Sequence, residues 1–166
     1  ICYGKDEAED PRKLLEHIYN NGHHSVLEHV YYTFKIEEIS RTCLAQLTRH
    51  RLASFTVESQ RYTKNEGRAI IPPRIRADKK LLSKYRTHMQ KSKDFYDLLL
   101  SCNVKKEDAR FALPQAIMTN LYLSCNLREF LHINKLRTSK GAQWEIRELV
   151  TKMTGLVIGY SPELRF

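Results

Sequence analysis

Apolar and polar positions along this chain alternate in two different periods, and the change from one to the other marks its elements. Asp10, Pro11 and Gly22 bracket the run Arg12–Tyr19 as cap, first-turn proline and terminator, so a helix is expected there. From Glu28 to Ile39 the chain is rich in β-branched and aromatic residues, and Val30, Tyr32, Phe34 and Ile36 fall on one face of a predicted strand. Ser40 then caps a short helix with Cys43, Leu44 and Leu47 at helical spacing, which is expected to deliver Gln46 and Arg49 to one side. The stretch 65–78, with Gly67 and Pro72-Pro73, reads as a loop. A long helix follows from Asp78 to Ser101 on Leu81, Leu82, Tyr85, Met89, Phe95, Tyr96 and Leu99. Beyond it come a helical turn over Lys105–Phe111, a second strand over Ala116–Leu123, and helices over Leu127–Leu136 and from Ala142 to Ile158. Strands separated by unequal helical blocks argue for an α+β fold rather than regular β-α-β winding.

Composition narrows the class. At 166 residues the chain fits one domain, without repeats or low-complexity tracts. No apolar run reaches membrane-spanning length, so no membrane association is expected. The chain opens on Ile1-Cys2-Tyr3 with no initiator Met, and the expectation is a fragment lacking terminal segments. Cys2, Cys43, Cys102 and Cys125 are widely spaced and form no CxxC pair, which reads as reduced thiols of a cytoplasmic protein rather than a disulfide or zinc framework. The net charge of +9 attracts polyanions, leaving nucleic acid and phosphorylated metabolites both open. Lys79, Lys80, Lys84, Lys91, Lys93, Lys105 and Lys106 crowd onto the long helix and its border and read mostly as a solvated face, which weakens the nucleic-acid case.

Three segments carry candidate chemistry. Gly22-His23-His24-Ser25-Val26-Leu27-Glu28-His29 is rich in metal-ligand types, but His24 and His29 stand five apart, out of zinc-helix register, and no cysteine joins; no metal is expected. The stretch from Arg49 to Tyr62 sets Arg49, His50 and Arg51 in a row and continues with Ser54, Ser59 and Arg61. Guanidinium forks and hydroxyls suit a phosphorylated ligand, while a surface charge cluster or pairing with acids such as Glu58 is the plainer alternative. The third segment, Asn126–Arg137, places Arg128 and His132 one turn apart on an otherwise ordinary amphipathic helix. Arg110 reads as paired with Glu107. There is no glycine-rich phosphate loop, no GxSxG elbow and no activated cysteine.

Together these motifs resemble the flavin-dependent thymidylate synthases. Arg49, His50, Arg51, Ser54, Ser59 and Arg61 match every fixed position of the family's RHRxxSxxxxSxR signature. Further matches run along nearly the whole chain: Gly22-His23 with Glu28-His29, Gln46, Ala109-Arg110 with Leu113-Pro114, Asn126-Leu127-Arg128, and Leu136-Arg137 followed by Ala142-Gln143-Trp144-Glu145-Ile146. The resemblance implies reductive methylation of dUMP to dTMP, with methylenetetrahydrofolate as one-carbon donor, reduced FAD as hydride source and NADPH regenerating the flavin. It implies a twisted, mainly antiparallel sheet flanked by helices, and a homotetramer whose active sites are shared between subunits. No covalent protein nucleophile is required.

By position, the resemblance assigns dUMP to Gln46, Arg49, Glu58, Ser59, Gln60, Arg61, Arg110 and Arg137. Ser59 and Arg61 are expected on the phosphate. Arg137 is expected against the uracil, stabilising negative charge as N3 ionises, and is the one catalytic residue assigned. FAD is assigned to His23, Ser25, Arg49, His50, Arg51, Asn126, Arg128 and His132. The chain departs from the family at Val57, where Glu or Gln is expected, and at His132, where Asn is common; Cys2 falls near a family FAD-contact position. Two alternatives stay open: a basic nucleic-acid-binding module and a catalytically impaired family member.

Overall fold

The computed structural model describes residues 10–164, so Cys2 lies outside the described residues. In chain order the elements are α1 (Pro11–Asn20), a 3-10 turn (His24–His29), β1 (Tyr31–Ser40), α2 (Arg41–Leu47), β2 (Ser54–Val57), α3 (Pro73–Ala77), α4 (Lys79–Ser101), α5 (Lys106–Ala109) running into a 3-10 turn (Arg110–Ala112), β3 (Met118–Asn126), α6 (Leu127–Arg137), α7 (Trp144–Tyr160) and a last 3-10 turn (Pro162–Leu164). The three strands form one small antiparallel sheet in the order β1-β3-β2. The fold is therefore mixed helix and sheet, as the alternation of periods predicts.

Caps set most of the helix boundaries. The Asp10 carboxylate accepts from the Arg12 and Lys13 backbone N–H groups, and Asp78 does the same for Lys80 and Leu81 at the start of α4. Ser40 Oγ accepts from the Cys43 N–H at 3.0 Å, Asn126 caps α6 through the Glu129 N–H, and Gln143 caps α7. Gly22 takes φ 73 as the chain leaves α1, a left-handed conformation that costs a side-chain-bearing residue about 1 kcal/mol or more.

Several expectations shift. The first strand starts at Tyr31, not Glu28, because Glu28 and His29 close a 3-10 turn, and Val30 is 42% exposed rather than part of the inward face. Tyr32, Phe34 and Ile36 do alternate inward; then Glu38, at φ 58, breaks the alternation and turns Ile39 and Ser40 in as well. The second strand runs from Met118 to Asn126, later than Ala116–Leu123. The expected loop 65–78 contains α3, started by Pro73 in a position where a missing N–H costs nothing. Helix α2 ends at Leu47, so Arg49 stands in the following turn and helical spacing does not relate it to Gln46.

The chain divides into two compact units. In the first, residues 10–34 and 124–164, Leu27, Leu127, Phe130, Ile133, Ile146 and Val150 are buried to 2% exposure or less. Phe34 and Phe130 stack there with ring centroids 5.5 Å apart. In the second unit, residues 35–123, the most deeply buried side chains include Cys43, Leu47, Tyr96, Ile117 and Leu123. Each such apolar side chain contributes about 1.5–3 kcal/mol relative to its exposed state. Of the lysines on α4, Lys79, Lys80, Lys84 and Lys91 are exposed as expected, whereas Lys93 is only 14% exposed and pairs with Asp97.

Candidate functional site

In the second unit the signature segment hangs between α2 and β2. The His50 N–H donates to the Leu47 carbonyl at 3.2 Å and the His50 carbonyl accepts from the Ala53 N–H at 3.1 Å, a turn that buries His50 to 5% exposure. Arg49 and Arg51 flank it on the outside, both exposed, and neither forms an ion pair among the described residues. Among the described residues Glu58 forms no ion pair with an arginine through its carboxylate. Its Oε2 accepts from Asn120 Nδ2 at 2.9 Å, while its main-chain carbonyl accepts from Arg41 Nη2 at 3.0 Å.

Past β2 the chain turns on Ser59, whose carbonyl accepts from the Tyr62 and Thr63 N–H groups and whose Oγ accepts from the Arg61 N–H at 3.3 Å. Arg61 Nε and Nη2 both reach Glu107 Oε2, at 3.0 and 2.9 Å. The same Glu107 offers its main-chain carbonyl to Arg110 Nε at 3.0 Å. The expected Arg110–Glu107 pairing is thus corrected: the carboxylate goes to Arg61, and Arg110 takes the backbone. One acidic residue thereby joins two of the expected nucleotide ligands.

A cavity of about 310 Å³ in this unit is lined by Arg41, Gln60, Arg110, Phe111, Leu113, Pro114 and Gln115. It brings together Gln60 and Arg110 of the expected set; Gln46, Arg49, Ser59 and Arg61 are not in its lining. Gln46 is half-buried in the last turn of α2. Arg41 is new to the site. Burial lowers its pKa, Arg110 nearby pushes the same way, and Glu58 opposes them. Its Nε is buried with no hydrogen-bond partner among the described residues. Two guanidiniums at one cavity make a receptor for an anion with several oxygens. Arg41 also lines a neighbouring cavity of about 150 Å³ with Glu58, Gln60, Thr119 and Asn120.

The first unit holds the other candidates. His23 and Ser25 are exposed at the start of the 3-10 turn. His24 is engaged locally: its Nε2 donates to the Tyr19 carbonyl at 3.1 Å and its ring stacks on Tyr19 at 5.2 Å. Among the described residues no cluster of three or more His, Cys, Asp or Glu side chains is placed to hold a metal. The Asn126 carboxamide oxygen is committed to capping α6. Arg128, ion-paired with Glu28, and His132 line a cavity of about 280 Å³ with Tyr19, His24, Leu27, Leu131 and Lys135. Aromatic faces beside Arg128 and Lys135 suit a ligand with a planar ring system and phosphate oxygens. Arg137 closes α6, half-buried.

Sequence reasoning missed Arg41, Asn120 and the pairing of Glu107 with Arg61. Nothing local marks them: Arg41 only follows a cap residue, and Glu107 and Asn120 meet their partners 46 and 62 residues away. Among the described residues no helix is long and apolar enough to cross a membrane.

Residues 1–163 match the profile of a family described as thymidylate synthase complementing protein. A flavin-dependent thymidylate synthase of Pyrococcus furiosus is 44% identical over 149 residues, covering 87% of this chain and 61% of that protein. One from Geobacter sulfurreducens is 40% identical over 176 aligned positions, covering 99% of this chain and 76% of its own length. One from Saccharolobus solfataricus is 42% identical over 148 residues, covering 87% of this chain and 56% of that protein. The chain thus spans less than two thirds of the two archaeal relatives. By the extent of these matches, it belongs to the flavin-dependent thymidylate synthase family.

Proposed function

We propose that residues 1–166 act as one thymidylate synthase domain that methylates dUMP reductively to dTMP, with methylenetetrahydrofolate as carbon donor and NADPH as ultimate reductant. The observation that carries the reading is the cavity of Arg41, Gln60 and Arg110, whose two guanidiniums suit a nucleotide 5′-phosphate. Family membership and the intact Arg49–Arg61 signature support it. Gln46, Arg49, Glu58, Ser59 and Arg61 complete the nucleotide set, with Glu107 orienting Arg61 and Arg110 in register. Arg137 stabilises the uracil as N3 loses its proton: a guanidinium stays charged throughout and needs no proton of its own to do so.

FAD supplies the hydride chemistry when bound, and the donor set fits it. In the first unit Asn126, Arg128 and His132 of α6 and its cap, with His23 and Ser25 of the 3-10 turn, are assigned to the flavin, and in the second unit Arg49, His50 and Arg51 of the signature turn are assigned to it. Exposed Arg49 and Arg51 hold phosphate oxygens there, while buried His50 fixes the turn that presents them. Cys43, near the signature turn in sequence, is buried, and catalysis rests on orientation and electrostatics. The protein works in the cytoplasm as a homotetramer with active sites shared between copies.

The test is dTMP formation by the full-length protein from dUMP, methylenetetrahydrofolate, NADPH and FAD. Turnover that depends on all four is expected and is abolished in Arg137→Ala with flavin still bound. No dTMP from folded, flavin-loaded protein sinks the proposal.

A further inference from the structure

Asn120, on β3, ties together three segments of the second unit. Its Oδ1 accepts from the Glu38 backbone N–H at 3.0 Å, and its Nδ2 donates to Glu58 Oε2 at 2.9 Å. Its main-chain carbonyl accepts from the Glu58 N–H at 2.9 Å. Glu58 then passes the constraint on, since its carbonyl accepts from Arg41 Nη2 at 3.0 Å. The orientation of the amide follows from its partners: a backbone N–H only donates and a carboxylate only accepts, so oxygen faces Glu38 and nitrogen faces Glu58. Glu38 is itself held at φ 58, and its carboxylate pairs with Arg68.

We propose that Asn120 is a positioning residue for nucleotide binding: it fixes Glu58, and through Glu58 the Arg41 guanidinium, at the cavity that Arg41 shares with Gln60 and Arg110. The inference rests on the reading above that dUMP occupies that cavity. Asn120 and Glu58 line the smaller neighbouring cavity and are not among the residues lining the larger one, so Asn120 acts on the nucleotide through Arg41 and not by contact. Only an amide meets both demands. A carboxylate in its place sets two negative groups against each other at a cavity lined also by Glu66 and by the cations Arg41, Lys64 and Arg68, of which Arg68 is paired with Glu38. An apolar side chain leaves the Glu38 N–H without its acceptor and frees the Glu58 carboxylate, whose charge acts on Arg41, while the main-chain bond between Glu58 and Asn120 remains.

The test uses full-length, FAD-loaded protein and dUMP titrations at several pH values. Asn120→Leu is expected to weaken dUMP by up to about tenfold at every pH, since the hydrogen bond it removes is to the charged Glu58 and not to the nucleotide. Asn120→Asp keeps the shape and is expected to weaken dUMP by a similar factor at pH 8. It regains affinity relative to wild type towards pH 6, as one proton comes to be shared between the new carboxylate and Glu58. Flavin absorbance and melting temperature report whether each variant is folded and loaded. Wild-type affinity in both variants, or the same pH profile in both, overturns the positioning role. Arg41→Gln separates the layers. If it weakens dUMP and the Asn120 variants do not, only the positioning role falls; if it leaves dUMP affinity unchanged, the cavity reading and the positioning role fall together.

Discussion

The Arg61–Glu107 pair leaves 53% and 37% of its two side chains exposed, so solvent screening holds its contribution to stability to at most about 1 kcal/mol. Its consequence is geometric, because the same glutamate orients Arg110 through its carbonyl. Cys125 is the opposite case, a group fully inside whose energetics depend on pH. Burial, with the Glu129 charge adding to it, pushes its thiol from the ordinary 9.0 up to about 12. Between those values the unfolded chain gives up a proton that the folded chain keeps. The unfolded state therefore binds fewer protons, and stability falls as pH rises from 9 towards 12. Cys125→Ala removes that slope. Chemical denaturation at pH 8 and pH 10.5 should show the wild-type advantage shrinking by up to about 2 kcal/mol at the higher pH. A pH-independent difference between the two proteins refutes the shift. The thiol's inertness follows from the same cause: at pH 8, mass-mapped alkylation should mark exposed Cys102 and spare Cys125 and Cys43 until the chain unfolds.

At the scale of the element, α2 is the one whose start matters most, since the signature turn hangs from its end. It has seven residues, too few to be stable from propensity alone, and depends on its cap and its buried face of Cys43, Leu44 and Leu47. Ser40 is 3% exposed, so Ser40→Ala leaves the Cys43 N–H with neither the hydroxyl nor ready access to water. The expected loss is about 1–2 kcal/mol in thermal or denaturant unfolding, with Ser40→Asp retaining more than half of it. An unchanged midpoint in Ser40→Ala means the cap is not what holds α2. The caps Asp10 and Ser40 were legible in the sequence because the signal is local, an N–H two or three residues on; Asp78 and Asn126 cap α4 and α6 in the same way. Strand limits were not legible. The inward alternation of β1 ends at Glu38 for a backbone reason that no residue type announces, and four-residue β2 exists through its pairing with β3. The candidate site divides along the same line. Arg49–Arg61 and Arg128–His132 were readable as motifs, whereas Arg41 joins Gln60 and Arg110 at one cavity, held by a hydrogen bond to Glu58, 17 residues away.

For the whole molecule, a net charge of +9 predicts attraction to any polyanion, and the arginine-rich signature alone would serve a nucleic-acid-binding module as well as a flavoenzyme. Salt distinguishes them. Attraction to an oligonucleotide arises from many exposed cations, such as Lys79, Lys80 and Lys84 on α4, and collapses steeply as counterions compete. A mononucleotide held by two guanidiniums and a glutamine involves few phosphate charges, and Arg41 there is half-buried, where screening is weaker. For the full-length protein, raising salt from 50 to 200 mM should therefore weaken a single-stranded oligonucleotide by at least about a hundredfold, but dUMP by less than about tenfold. In the same preparations the flavin should stay bound at both salts, and the proposed homotetramer predicts a light-scattering mass of four copies at both, since interfaces of obligate assemblies rest on apolar burial more than on surface charge. Colourless protein, or dUMP affinity falling with salt as steeply as the oligonucleotide's, would mean that the arginines form a general polyanion surface, and the nucleotide cavity would lose its claim to function.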